Sequence, residues 1–369
     1  MKAIQWIISA LVAVVIIAAA VGGGVYFTRL KSIHSIRKLT DYENYNLYRM
    51  DIDYAYDLDR LIDRGITDNQ SMINAILAEA LPYLPIHMKA PNFGCSAFCT
   101  QGTDGHTLMG RNYDFKNDTS AMLVYCTPKD GYASVAFAAL DNINANTPDA
   151  SMAKKLATLT APFICLDGMN EKGVSIAVLT LDSDPTYQQT GKSMIATTLA
   201  IRLVLDRAAT TAEAVELLSK YDMFASSGRD YHFYITDASG DGRVLEYDCN
   251  DPARPLTATP SRSVTNFFVM YKDNVLPNQR NGVYGHGRER YDAIEEILDA
   301  NAGSIDREIA WQALQAASQA PNPKDVTSNT QWSILYDNTA LTAEAVIRRD
   351  WNTKTSYNLV SNVAVTDVG

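Results

Sequence analysis

From residue 95 onward the chain reads as short apolar runs joined by tight turns rich in Gly and Asp, and this texture restricts the fold more than any other feature. "CSAFCTQ" and "TLMGRNYDF" flank the turn "GTDGH", which is a hairpin pattern. "SVAFAAL", "FICLDGMNEKGVSIAVLTL", "YHFYITDASGDGRVLEYD", "RSVTNFF" and "WSILYDNTALTAEAVIRRD" repeat the theme. Between them lie two pairs of helical runs, "GKSMIATTLAIRLVLDRA" with "TAEAVELLSKY", and "GRERYDAIEEILDANAG" with "DREIAWQALQAAS". Strand hairpins interrupted by helix pairs predict a layered α+β domain over residues 95–369, since each sheet face and each helix stripe must be buried against another element. Hydrophobic residues make up 47% of the chain and charged residues 20%, enough for a sizeable core and against wholesale disorder.

The segment upstream has a different texture. Residues 3–27, "AIQWIISALVAVVIIAAAVGGGVYF", carry one polar side chain, Gln5, and are long enough to span a hydrocarbon core of roughly 30 Å. The expectation is a transmembrane anchor within residues 1–28; the alternative is a signal peptide that starts at Lys2 and exits at Ala18-Ala19-Ala20. Arg29, Lys31, Arg37 and Lys38 outnumber Lys2 and pull against an outward-facing domain, although long domains override that bias. The reading is therefore a membrane-anchored protein with an extracytoplasmic catalytic domain, or a secreted one if the segment is cleaved.

Residues 29–94 read as a basic linker and a helical pro-segment. Residues 40–65 are expected to be an amphipathic helical stretch; Asp51, Asp53, Asp57 and Asp59 do not make a calcium loop, because no glycine stands where the loop must turn. In "DNQSMINAILAEALPYLP" the residues Met72, Ile73, Ile76, Leu77, Ala80 and Leu81 recur at helical spacing, with Asp68 or Asn69 as N-cap and Pro82 and Pro85 as the stop. "HMKAPNFG" is an extended lead-in to Cys95. A second partial calcium-loop match, "DASGDGRVLEYD" at residues 237–248, has strand-like flanks and reads as a hairpin turn.

Several chemistries find no support. A net charge of −10 argues against a nucleic-acid partner. There is no HExxH, P-loop, GxSxG elbow or GxGxxG after a strand. The five cysteines, Cys95, Cys99, Cys126, Cys165 and Cys249, form neither a disulfide framework nor a Cys-x-x-Cys zinc pair. Of the histidines, His106 sits in a turn and His232 opens a strand, so no Cys–His pair is evident.

A cysteine can work without histidine if it is the first residue of a mature chain. Its own α-amine, with an ordinary pKa near ~8, can then take the thiol proton. That requires a cut between Gly94 and Cys95, and glycine before the nucleophile permits the backbone strain involved. A nearby aspartate would hold the new amine, and an arginine would favour the thiolate.

"GCSAF…GRNYDF" resembles the N-terminal-nucleophile cysteine hydrolases of the choloylglycine hydrolase and linear amide C–N hydrolase group, which includes bile salt hydrolases, penicillin V acylases and acid ceramidase. Cys95 and Arg111 are sixteen residues apart and Asp114 follows three later, a spacing that recurs in the bile salt hydrolases. "DGMNEKGVSIAVL" is similar to a strand–turn–strand signature of the group, "VTNFF" carries Asn266, and "GRERYDAI" carries Arg290. The resemblance runs in order from about residue 91 to the C-terminus. It implies a four-layer αββα Ntn-hydrolase sandwich, preceded here by the membrane helix and pro-segment. It further implies Cys95 as nucleophile, Asp114 on the amine, Arg111 beside the thiolate, Arg290 in the polar network, and Asn266 with the Thr180 backbone as the oxyanion hole. No cofactor or metal is implied. The bland alternatives are a solvated hairpin pair for Arg111 and Asp114, a turn residue for Asn266 and an exposed helix charge for Arg290.

Thr180 departs from the group, since bile salt hydrolases carry asparagine there and penicillin acylases tyrosine. The 94 residues before the cysteine are similar to the ceramidase branch, whose severed N-terminal piece stays bound. The substrate expected is an N-acyl amide with an apolar acyl chain. Alternatives are bile salts or penicillins, an acyltransferase on the same site, or an inactive membrane-tethered binding protein.

Overall fold

The structure is a computed structural model that describes residues 23–82, 94–280, 282–322, 324 and 328–366. Helix α1 covers residues 23–34 and is followed by β1 (Arg37–Lys38), β2 (Leu47–Ile52), α2 (Leu58–Asp63) and α3 (Asn69–Ala80). The next group is β3 (Gly94–Gln101), β4 (Thr107–Asp114), β5 (Ala121–Cys126), β6 (Ser134–Ala139), α4 (Met152–Ala157), β7 (Cys165–Asn170) and β8 (Ser175–Leu181). A parallel pair, β9 (Met194–Ala196) and β10 (Asp222–Phe224), brackets α5 (Thr197–Arg207) and α6 (Thr211–Leu218). Then come β11 (Asp230–Thr236), β12 (Gly242–Tyr247), β13 (Leu256–Pro260) and β14 (Ser263–Val264). Helices α7 (Arg288–Ala300) and α8 (Arg307–Ala317) lead into β15 (Thr330–Asp337), β16 (Thr342–Ile347), β17 (Thr355–Asn358) and β18 (Val363–Thr366).

Two large sheets result. One has nine strands in the order β1-β2-β5-β6-β7-β8-β11-β12-β13, the other seven in the order β14-β3-β4-β15-β16-β17-β18. Alternation along the strands divides their side chains between two faces. On β7, Asp167 turns towards Arg111 of the seven-stranded sheet, while the Asn170 side chain donates to the carbonyls of Leu205 and Ala208 at the end of α5. On β4, Arg111 reaches the Val178 carbonyl of β8, while Asn112 donates to the Leu314 carbonyl of α8. The layer order is therefore helix pair, nine-stranded sheet, seven-stranded sheet, helix pair, and the expected α+β class holds.

The N-terminal region departs from the expected helix over 40–65. Leu47–Ile52 is a strand, paired parallel to β5 from Leu47↔Ala121 to Ile52↔Cys126. Nearly every residue of it is buried, as befits a strand covered on both faces, so the polar–apolar alternation that marks a half-buried strand is missing. The four aspartates do separate jobs. Asp51 pairs with Arg49, Asp53 with Lys31 and Asp59 with Arg207, while Asp57 caps α2 through the Arg60 amide. In α3 the cap is Asp68, in a reciprocal capping box with Ser71, and the helix stops before Pro82.

The "DASGDG" stretch is the turn between β11 and β12, with Asp237 accepting from the Ser239 and Thr211 amides. Of the apolar stretch at 3–27, residues 3–22 lie outside the described residues, as does most of the lead-in to Cys95. Among the described residues no helix is long and apolar enough to cross a membrane.

Candidate active site

The β3–β4 hairpin does the first work of assembly. Its register sets Gly94 opposite Asp114, Cys95 opposite Tyr113 and Ala97 opposite Arg111. Cross-strand partners share a face, so Cys95, Tyr113, Ala97 and Arg111 all look towards the nine-stranded sheet. Cys95, Arg111, Asp114 and Asn266 have no exposed surface, and Arg290 keeps only 6%. The solvated hairpin pair and the exposed helix charge are therefore excluded, while Asn266 does stand in a bend, but a buried one.

Arg111 is clamped from three sides. Its Nη1 donates to the Asn112 carbonyl at 2.6 Å, its Nη2 to the Val178 carbonyl at 2.9 Å, and its Nε lies 3.4 Å from Asp167 Oδ2. Asp167 is held in turn by the Tyr336 hydroxyl at 2.6 Å and Trp332 Nε1 at 3.1 Å. Asp114 accepts from the Thr330 hydroxyl at 2.6 Å and Gln319 Nε2 at 2.8 Å, and lies 3.5 Å from Arg290 Nη1. Burial raises both carboxyl groups above the usual carboxylate range, opposed chiefly by Arg290 at Asp114 and by Arg111 at Asp167.

Arg290 and Asn266 close the site from the other end of the chain. Arg290 Nη1 donates to the Cys95 carbonyl at 2.9 Å and its Nη2 to Asn266 Oδ1 at 2.7 Å. Asn266 Oδ1 also accepts the Cys95 backbone N–H at 3.1 Å, and its Nδ2 donates to the Thr180 carbonyl at 2.8 Å. Thr180 thus meets Asn266 through its carbonyl oxygen, and its own buried hydroxyl has no hydrogen-bond partner among the described residues. Burial pushes the Cys95 thiol up to about 11; the Arg111 guanidinium and the Asp114 amide pull it down, and the Asp114 carboxylate raises it.

All the residues singled out in sequence, Gly94, Cys95, Arg111, Asp114, Thr180, Asn266 and Arg290, converge on this one place. Asp167, Gln319 and Thr330 were missed; a carboxylate inside the apolar run "FICLDGMN" was the available signal for Asp167. His106 lies at the turn end of the hairpin against Asp337, away from the thiol. Among the described residues no cluster of His, Cys, Asp and Glu could hold a metal. Chemically, the arrangement offers a buried sulfur close to a fixed cation, an amide oxygen on the Cys95 nitrogen, and a guanidinium that bridges the Cys95 carbonyl and the Asp114 carboxylate.

Comparison with known proteins agrees with this geometry. The family model of linear amide C-N hydrolases, choloylglycine hydrolase family, matches residues 95–251 and so begins at Cys95 itself. The fold is similar to that of two solved variants of conjugated bile acid hydrolase from Clostridium perfringens, each at 16% identity and TM-score 0.54, over 74% of this chain and 96% of that chain. It is also similar to penicillin V acylase from Agrobacterium tumefaciens, at 18% identity and TM-score 0.50, over 69% of this chain and 83% of that one. At such identities the likeness is one of fold, and it is the family match over the segment carrying Cys95, Arg111, Asp114 and Thr180 that speaks to chemistry. Residues 95–251 thus match the choloylglycine hydrolase family, hydrolases of linear amide C–N bonds.

Proposed function

We propose that the chain is a self-processing cysteine hydrolase of N-acyl amides, working as an N-terminal-nucleophile enzyme with Cys95 as the first residue of its mature form. One observation carries the reading: the Cys95 backbone, not only its sulfur, is gripped by site residues, with Asn266 on its nitrogen. Asn266 Oδ1 accepts from that nitrogen, Asp114 lies across the strand pair from Gly94, and Arg290 grips the Cys95 carbonyl. A nucleophile that remained mid-chain would have no use for these contacts; an α-amine that must hold and pass a proton would.

In processing, the Cys95 sulfur adds to the Gly94 carbonyl, the C–N bond breaks, and the nitrogen leaves as the new amine. Water then opens the thioester, giving a Gly94 carboxylate and the free thiol. In turnover the α-amine takes the thiol proton and the thiolate attacks the amide carbon of the substrate. The oxyanion is met by the second N–H of Asn266 Nδ2 and by the Thr180 backbone N–H. The ammonium returns its proton to the leaving amine, and water, deprotonated by the α-amine, releases the acid from the thioester. Asp114 and Asn266 Oδ1 hold the amine, and Arg111 stabilises the thiolate.

The test is intact-mass analysis with N-terminal sequencing, followed by a panel of N-acyl amides of graded acyl length. A mature chain starting at Cys95, absent in Cys95→Ala, with amine release that grows with acyl chain length, is the expected result. An uncut wild-type chain that still hydrolyses amides would remove the α-amine from the mechanism.

A further inference from the structure

Asn266 stands in residues 265–270, which run from the end of the short strand β14 into the first turn of a 3-10 helix, Val269–Asn274. The backbone on both sides of it is held by two fully buried side chains, His232 of β11 and Glu246 of β12. His232 Nε2 lies 2.9 Å from the Thr265 carbonyl, and its Nδ1 lies 3.0 Å from Glu246 Oε1. Glu246 Oε1 accepts the Val269 N–H at 2.7 Å, and Oε2 accepts the Met270 N–H at 3.0 Å. A carbonyl can only accept, so Nε2 is the donor in its bond to Thr265. The same segment is tied forward by the Thr265 hydroxyl, which donates to the Gly287 carbonyl at the head of α7, the helix that carries Arg290.

A buried His–Glu pair in a hairpin could serve stability alone, and apolar side chains would fill that space at lower desolvation cost. Here, apart from the bond joining the pair, every hydrogen bond described for it goes to the segment that bears Asn266. Three of the segment's backbone groups are captured, one on the N-terminal side of Asn266 and two on the C-terminal side. Asn266 has to hold its oxygen on the Cys95 nitrogen and its amide against Thr180 at once, and displacement of a reacting group by about 1 Å can cost ~10²-fold.

We propose that His232 and Glu246 are positioning residues that fix residues 265–270 and through them the amide of Asn266. The inference rests on the reading of Asn266 as the oxyanion donor. The test makes His232→Gln and Glu246→Gln singly and in an Asn266→Ala background, with kcat referred to the processed fraction of each chain read by intact mass. Each single variant should lower kcat for amide hydrolysis by about tenfold to a hundredfold with KM within about twofold. In the Asn266→Ala background the same changes should cost less than about twofold, since the group they act through is gone. Equal losses in both backgrounds would overturn the proposal. Hydrogen–deuterium exchange of the peptide spanning residues 264–271 is read alongside and should rise in both single variants. If wild type proves to have no amidase activity, the reading of Asn266 falls, and exchange decides the positioning claim by itself: a rise upholds it and unchanged exchange sinks it. Should His232→Gln fail to fold, Glu246→Gln carries both measurements.

Discussion

The thiol of Cys95 meets two opposing demands, and pH separates them. Removed from water, it is pushed up to about 11 in the uncut chain, because burial penalises the thiolate by more than Arg111 offsets. At pH 8 the thiolate fraction of such a group is only ~10⁻³, against ~10⁻¹ for an ordinary thiol in the same range. The sign follows: the folded, uncut chain keeps this proton to higher pH than the unfolded chain. The associated stability is fully present below the ordinary thiol pKa and is lost as pH rises towards 11. Cutting at Gly94 replaces a peptide nitrogen by an amine that can take the proton. We therefore expect Cys95 in an Asn266→Ala chain, slowed in processing, to react with iodoacetamide at a rate that climbs about tenfold per pH unit between pH 8 and 10. The mature chain should react faster and with a flatter profile near neutral pH. A flat profile in the uncut chain, followed by mass mapping of Cys95, would show that burial does not control this thiol.

The elements that hold the site differ in how openly the chain announces them. The β3–β4 hairpin was legible because "GTDGH" supplies turn residues between two alternating runs, and α3 because Asp68 and the 3.6-residue apolar spacing agree. Strand β2 was not, since burial on both faces erases alternation and its partner β5 lies about 70 residues downstream. Asp167 was hidden for a related reason: Trp332 and Tyr336, which justify a carboxylate there, stand 165 and 169 residues away. His232 was placed on a strand, and it does lie in β11, but its bond to the Thr265 carbonyl depends on how β11 and β14 meet.

The start of α7 shows the same dependence. Gly287 caps this helix at φ +87°, and a Cβ there would fall 2.4 Å from Arg290 Nη2 and 3.0 Å from its Cζ. Gly287→Ala therefore forces a strained backbone, at roughly 1–2 kcal/mol, and displaces the guanidinium from Cys95 and Asn266. The expected outcome is a loss of at least about tenfold in both processing rate and kcat, with a modest fall in Tm. Unchanged kinetics in a folded Gly287→Ala protein would mean that Arg290 is not required at that position.

At the scale of the whole molecule, the part that would be severed from Cys95 is not an appendage. Strand β2 lies inside the nine-stranded sheet, between β1 and β5. Leu47, Met50, Leu61 and Ile76, all fully buried, join the same hydrophobic core as Met122 and Val124 of β5. Polar contacts add direction: the Tyr54 hydroxyl donates to the Leu159 carbonyl, the Tyr56 hydroxyl to both oxygens of Asp206, and the Tyr42 hydroxyl to Asp350. Each large apolar side chain buried against the rest of the molecule contributes about 1.5–3 kcal/mol, so removing the segment would cost several such contacts at once. Its departure would also uncover β5 as a new apolar sheet edge, open to pairing with other chains. We therefore expect the two pieces produced by cutting between Gly94 and Cys95 to elute together on a native sizing column. They should separate only in a denaturing concentration of guanidinium, with each mass read from the fractions. Recovery of a folded, active chain beginning at Cys95 and free of the N-terminal piece would show that these contacts are dispensable. Co-elution would instead make the processed enzyme a two-chain protein, because the core was built across the cut before the cut was made.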